Sequence, residues 1–181
     1  MKTLIGLSGS LRRSSYNTAL LRAASRLLPD GFTLDLRTLD GIPLYNEDVE
    51  TASGIPAAVA ALKDALAGAQ GLLIATPEYN NSIPGVLKNG IDWLTRPPQD
   101  IAKVFGGKPV ALLGATPGNF GTLLSQTAWL PVLRTLGVKP HFGGRLMVSR
   151  AHETFDENGV LKSPAVEKQL REYLARFCKT L

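Results

Sequence analysis

The apolar residues of this chain switch period repeatedly, from short runs to stripes at helical spacing, and this switching restricts the fold more than any other feature. Thr3-Leu4-Ile5-Gly6-Leu7 is an apolar run closed by Ser8-Gly9-Ser10, after which Leu20, Ala24 and Leu27 recur at helical spacing until Pro29-Asp30-Gly31. Phe32, Leu34 and Leu36 alternate with Thr33, Asp35 and Arg37, the pattern of a strand with one wet face at a sheet edge. The stretch from Asp40 to Ser53 is rich in turn residues and reads as a loop, and Ala57 to Leu66 is helical in composition. Leu72-Leu73-Ile74-Ala75 is a run of the kind buried on both faces. Pro84 is expected in the first turn of the next helix, where its missing N–H costs nothing. Leu87, Ile91 and Leu94 form the inner stripe of that helix and Arg96-Pro97-Pro98 its end. Pro109 to Ala115 is a further buried strand, followed by a glycine-rich turn. A helical pattern runs from Leu123 to Leu136, in which Pro131 predicts a kink or a late start. A last strand is expected between His141 and Val148, and Val166, Leu170, Tyr173, Leu174 and Phe177 form the stripe of a closing amphipathic helix.

The order βαβαβαβαβα, without a linker or a long internal repeat, predicts one α/β domain over residues 1–181, a parallel sheet covered by helices on both faces. Such sheets bind ligands at the carboxyl ends of their strands, where the winding direction reverses. Function is therefore expected in the loops after the first, third and fourth strands. At 44% hydrophobic and 19% charged residues the chain is neither disordered nor of low complexity, and no apolar stretch approaches the ~20 residues of a membrane span. A single cysteine, Cys178, leaves no internal disulfide and no cysteine zinc site. Met1-Lys2 runs straight into the first strand without signal-peptide architecture, so a cytoplasmic protein is expected. The net charge of +5 is modest and scattered, densest at Arg12, Arg13, Arg22 and Arg26. Beside a glycine-containing turn this cluster suits a small phosphorylated ligand as well as a polymer, and its plainer explanation is a solvated basic face; no nucleic-acid partner or membrane association is expected.

The first loop, Ser8 to Asn17, leaves a strand and enters a helix, so unpaired N–H groups point outward along a favourable dipole. Hydroxyls of Ser10, Ser14 and Ser15, the amide of Asn17 and the guanidinium of Arg12 add donors that suit a dianionic phosphomonoester. The segment is neither Gly-x-Gly-x-x-Gly nor a Walker loop, and its plainer explanation is a helix cap by Ser15. The second loop, Pro77 to Gly85, is a stiff turn able to present backbone groups to the edge of a flat heterocycle, with Tyr79 and Ile83 as apolar surface; alternatively its Glu78 is merely solvated. In the third, Ala115 to Gly121, Gly118 and Gly121 allow positive φ and close approach to a ligand.

Ser-Gly-Ser-Leu-Arg-x-x-Ser-x-Asn at Ser8–Asn17, Pro-Glu-Tyr-Asn-x-Ser-Ile-Pro-Gly-x-Leu-Lys-Asn-x-Ile-Asp-Trp-Leu at Pro77–Leu94 and Gly-Ala-Thr-Pro-Gly at Gly114–Gly118 resemble the NADPH-dependent FMN reductase family. The branch of bacterial quinone, chromate and azo-dye reductases, which also shares Leu44-Tyr45-Asn46-Glu47-Asp48, is the most similar. The resemblance covers nearly the whole chain. It implies a flavodoxin-like three-layer sandwich with a five-stranded sheet in the order 2-1-3-4-5, non-covalent FMN, and homodimers or homotetramers that complete the flavin sites. It places Ser10, Arg12, Ser15, Tyr16 and Asn17 around the FMN phosphate, and Pro77, Glu78, Tyr79, Asn80 and Ser82 along the isoalloxazine and ribityl portions. Thr116, Pro117, Gly118 and Gly121 would close the other side of the ring. Where that branch commonly has Gly-Ala-Arg-x-Gln, this chain has Thr122-Leu123-Leu124-Ser125-Gln126, so the arginine associated with subunit contacts is absent.

The expected activity is transfer of hydride from NADPH or NADH to FMN and then of electrons to a quinone, chromate, an azo compound or free flavin, by alternating use of one site. No side-chain acid or base is required for the hydride step, and helix starts together with the third loop are the expected donors to the reduced ring. The alternatives are a flavodoxin-type electron carrier, which the basic charge disfavours, and a phosphate-ligand sensor. His141 and His152 lack metal-ligand spacing, Asp92 reads as an interface residue, Trp93 and Trp129 as packing or interface residues, and Cys178 as inert.

Overall fold

The computed structural model describes residues 1–181. In chain order its elements are β1 (Lys2–Ser8), α1 (Tyr16–Leu27), β2 (Phe32–Arg37), α2 (Glu47–Ser53), α3 (Ala57–Gly68), β3 (Gly71–Ala75), α4 (Gly85–Leu94) and α5 (Ile101–Phe105). They continue as β4 (Pro109–Ala115), α6 (Leu123–Thr135), β5 (Lys139–Pro140), β6 (Leu146–Val148), α7 (Ala151–Thr154) and α8 (Pro164–Cys178). The sheet is parallel throughout, in the order β2-β1-β3-β4-β5, with β6 also paired to β4.

Alternation along each strand sends its side chains into two separate cores. Leu4, Leu73, Ala75, Ala111 and Leu113 pack against α1 and α8, where Leu20, Leu170, Tyr173, Leu174 and Phe177 are buried. Ile5, Leu7, Leu72, Ile74 and Val110 face the opposite layer, with Leu62, Leu87, Ile91, Trp93 and Trp129 of α3, α4 and α6. Two-sided cover is what continuous runs such as Leu72–Ala75 require, and β3 is buried along its whole length. β2 is half-buried throughout and lies at one edge, as its alternation predicts. No helix is long and apolar enough to cross a membrane.

Several local expectations are corrected. The last strand does lie between His141 and Val148, as β6, which aligns Leu146 with Leu113, but a two-residue strand that the pattern does not show, β5, precedes it and aligns Lys139 with Pro109. The Lys139 and His141 N–H groups donate to the Lys108 and Val110 carbonyls, so the missing N–H of Pro140 falls on the side away from β4, where an edge strand tolerates proline. The chain then loops away over His141–Arg145 before rejoining β4. The presumed loop Asp40–Ser53 ends in α2, which buries none of its residues. It is held instead by Asn46, which accepts from the Asp48 N–H at 2.9 Å, by acidic residues in its first turn, and by Gly54 at φ +76°. The short helices α5 and α7 likewise carry no stripe long enough to be read. Pro84 is the residue before α4 rather than in its first turn, and α6 begins at Leu123 and runs through Pro131, so there is no late start.

His141 illustrates how the split edge is secured. Its ring meets Tyr173 and Phe177 edge-on, with both centroids at 5.5 Å, and its buried Nε2 has no hydrogen-bond partner. Burial, and secondarily the Arg176 charge, pull its pKa below the ordinary 6.5. A folded state that resists this proton binds fewer than the unfolded chain, so stability is full above 6.5 and falls as pH drops through the lowered value. His141→Phe is expected to flatten that part of the pH dependence of the urea midpoint; an unchanged acid slope would contradict the assignment.

Candidate functional site

β1, β3 and β4 end side by side, Ser8 aligned with Ala75 and Ala75 with Leu113, so the loops that follow them emerge together. In the first loop Ser15 caps α1, its Oγ accepting from the Thr18 N–H at 3.3 Å. Ser10 is buried and its Oγ accepts from the Arg12 N–H at 3.3 Å. The exposed Arg12 guanidinium lies 5.2 Å from the Tyr16 ring centroid and donates to Ser14 Oγ. Asn17 is buried and bound to β4: its Nδ2 donates to the Ala115 carbonyl at 2.9 Å while its Oδ1 accepts from the Ala115 N–H at 3.0 Å. The backbone N–H groups of Leu11, Tyr16 and Asn17 find no acceptor within the chain, so the mouth of α1 offers donors to a ligand.

The second loop folds as a two-residue turn. Tyr79 and Ser82 exchange backbone hydrogen bonds at 3.2 and 3.1 Å, and Asn80 and Asn81 between them take φ of 50° and 62°. Asparagine is among the few side-chain residues that tolerate this geometry, which explains the stiffness expected of the segment. Glu78 is not a solvated carboxylate. Its Oε2 accepts from the Leu124 and Ser125 N–H groups at 2.8 and 3.0 Å, capping α6, whose own Thr122 makes no side-chain cap. The first turn of α6 was an expected donor to a reduced ring; these two donors are instead committed to Glu78.

A buried hydroxyl beneath this turn, not singled out in the sequence, joins the same elements. Thr76 Oγ1 contacts Ser125 Oγ at 2.8 Å, accepts from Trp129 Nε1 at 3.0 Å and donates to the Pro77 carbonyl at 3.0 Å. The Thr-Pro-Glu order is the only trace of it in the sequence, because its partners lie some fifty positions away. The third loop is tied to β6 and α7 by Thr116 N–H to Val148 O, Ala151 N–H to Thr116 O and Arg150 N–H to Gly118 O, each at 3.0 Å. Gly121 does take positive φ, +63°, but its close neighbour is Met147 rather than open groove; Gly118 does not take positive φ.

The three loops enclose a groove of about 430 Å³. Ser10, Arg12, Ser15, Tyr16 and Asn17 line it from the first loop, Pro77, Glu78 and Tyr79 from the second, and Thr116 and Pro117 from the third. Asn80, Ser82, Gly118 and Gly121 are not on its wall: Asn80, Ser82 and Gly118 stand exposed at turn tips and Gly121 is buried against Met147. Arg12 is the groove's cation and Glu78 its carboxylate. Elsewhere, Trp93 is fully buried with Nε1 donating to Pro43 O at 2.9 Å, and Trp129 is fully buried as well. Asp92 pairs with Lys88 at 2.7 Å on the same helix. Burial pushes the Cys178 thiol up to about 11, the direction of an unreactive cysteine.

A sequence profile of the NADPH-dependent FMN reductase family matches residues 1–153. An NAD(P)H-dependent FMN reductase of Pseudomonas aeruginosa is 44% identical over 171 residues, spanning 94% of this chain and 90% of that protein. A 2-hydroxy-1,4-benzoquinone reductase of Burkholderia sp. is 37% identical over 169 residues, spanning 93% and 90%. Among solved structures, the flavoenzyme NAD(P)H:(acceptor) oxidoreductase FerB of Paracoccus denitrificans superposes with a TM-score of 0.87 at 30% identity, over 99% of this chain and 96% of that one. The parallel sheet, the converging loops and these matches together establish that the chain belongs to the NADPH-dependent FMN reductase family.

Proposed function

We propose that this protein is an FMN-dependent NAD(P)H oxidoreductase whose electron acceptors are quinones or comparable small oxidants. The observation that carries the reading is the groove at the carboxyl ends of β1, β3 and β4, where anion-binding and apolar-planar features meet. Its volume lies within the ~300–1,000 Å³ of small-molecule sites.

The residues present fit FMN. The partnerless N–H groups of Leu11, Tyr16 and Asn17, with Ser10, Ser15 and Arg12, form a donor cluster, the chemistry a phosphomonoester requires. Because the Asn17 carboxamide is bound to Ala115, it serves by holding α1 against β4, and its backbone N–H faces the ligand's charge. Pro77, Glu78 and Tyr79 on one side, and Thr116 and Pro117 on the other, bound the space for the ribityl chain and ring; Asn80 and Ser82 belong to the turn that carries Tyr79, and Gly118 and Gly121 to the third loop. Bound FMN supplies the redox chemistry, accepting hydride from NAD(P)H and releasing electrons to the acceptor. The chain's part is to orient the ring and to leave one side open, so that NAD(P)H and acceptor use the same space in turn.

We further propose a homodimer or homotetramer in the cytoplasm. Leu11, Tyr79 and Phe120 on the loops around the groove, and Leu124 in the first turn of α6, leave large apolar side chains exposed, Phe120 at 82%, a surface that suits a second copy of the chain. Leu124 makes that contact apolar where the related branch uses an arginine. The cytoplasmic placement rests on the need for NAD(P)H and on a buried, reduced cysteine.

Steady-state kinetics of the FMN-loaded protein with NADPH and NADH, across quinones, chromate, azo dyes and free flavin, test the reading. Acceptor-dependent oxidation with parallel double-reciprocal lines is expected. Oxidation at the background rate by protein that retains FMN would place it with the electron carriers instead.

A further inference from the structure

The loop after β3 is fastened to α6 at two places, by the Thr76 hydroxyl to Ser125 and Trp129, and by the Glu78 carboxylate to the Leu124 and Ser125 N–H groups. Thr76 Oγ1 makes contacts sufficient to use its full hydrogen-bonding capacity, so the base of the loop is fixed. Beyond Pro77 no backbone hydrogen bond joins the Tyr79–Ser82 turn to the rest of the molecule; the turn is closed on itself. Glu78, which lines the groove, is the side chain that ties the outer part of this loop to α6. The element it fastens to, α6, follows directly on the third loop, which forms the opposite wall.

We propose that Glu78 is a positioning residue for the proposed FMN reductase reaction: by capping α6 across the groove it sets the separation of the second and third loops, and with it the fit of the flavin ring. This rests on the reading of the groove as the FMN site. Reach, not charge, is the property the assignment needs. A glutamine at this position spans the same distance with a neutral carbonyl acceptor, whereas an aspartate keeps the charge and stops one methylene short of the helix.

The test is a series of Glu78→Gln, Glu78→Asp and Glu78→Ala, with FMN affinity read by flavin fluorescence quenching, thermal midpoint, and kcat and KM for NADPH. Glu78→Gln is expected to bind FMN within about threefold of the parent, while Glu78→Asp and Glu78→Ala lose about tenfold, the scale of one helix cap. Loss of kcat without a matching rise in KM for NADPH is expected to accompany the looser flavin. The gln and asp variants retain a polar side chain of similar character, so the comparison stands even if Glu78→Ala does not fold. The proposal is overturned if Glu78→Asp resembles the parent while Glu78→Gln resembles Glu78→Ala. It is overturned equally if all variants lose thermal stability with unchanged FMN affinity. A parent protein that binds no FMN would remove the functional reading itself, an outcome separable from either of these.

Discussion

Gly114→Ala is expected to leave little folded protein. A Cβ at this buried position of β4 would stand 2.0 Å from Thr122 Oγ1 and 2.5 Å from the Thr76 carbonyl oxygen. Thr122 is itself buried, and its hydroxyl accepts from Gln126 Nε2 at 3.0 Å, so it cannot swing away without breaking that bond. The Thr76 oxygen is backbone of the adjacent strand end and cannot yield by a rotamer change. Overpacking of well-ordered cores costs roughly 1–3 kcal/mol and sometimes more, and a clash with main chain belongs at the upper end, ~3 kcal/mol or above. That is a large part of the ~5–15 kcal/mol that holds a typical domain together. Urea denaturation and soluble yield measure the effect. Adding Thr122→Ala should not restore stability, because the backbone oxygen remains. Gly118→Ala is the matched control: its nearest neighbour would be Thr116 Oγ1 at 3.7 Å, and a change within about 0.5 kcal/mol is expected. A Gly114→Ala protein that unfolds at the parent's urea midpoint would contradict the packing of β4 against Thr76 and Thr122.

Arg12→Ala should behave in the opposite manner, sparing the fold and emptying the groove. The side chain is exposed, and its contacts are with the outer face of the Tyr16 ring, which packs on the buried Phe155 without it, and with the Ser14 hydroxyl. A charge-assisted hydrogen bond to a phosphate contributes about 1.5–3 kcal/mol. Its loss corresponds to roughly a ten- to 150-fold rise in the FMN dissociation constant. Arg12→Lys should recover part of this, as a point charge without the forked donor geometry. Fluorescence titration of the apoprotein decides the matter, and unchanged affinity in Arg12→Ala would remove Arg12 from the proposed phosphate cluster.

What the sequence reveals and what it conceals follow from the range of the interactions. The strands and the long helices are legible because their patterning is local: Leu72–Ala75 must be covered on both faces, and the stripe ending at Phe177 must face a sheet. The loops that meet at the groove are legible because winding direction alone brings those strand ends together. α2 has no buried face, so apolar periodicity could not report it; its signal is the Asn46 cap, the acidic first turn and Gly54. The last strand falls where its apolar residues place it, as β6 within His141–Val148, whereas β5 is not legible because a strand of two residues carries no pattern. Within the site, residue types point to a set of donors in the first loop, but not to the binding of Asn17 to Ala115 or to the reach of Glu78 to Leu124, partners 98 and 46 positions distant. Gly114 appeared only as part of a motif; its necessity depends on two side walls that fold against it.

The divided strand on the β4 side has a further consequence. A sheet border normally exposes a row of unpaired amide and carbonyl groups on which another extended chain can template itself. Here that row is cut into Lys139–Pro140 and Leu146–Val148 by the His141–Arg145 excursion, and Pro140 contributes no donor. Fibrillar growth along this border of the folded protein therefore lacks a continuous ladder, which leaves β2 as the one uninterrupted border of the sheet.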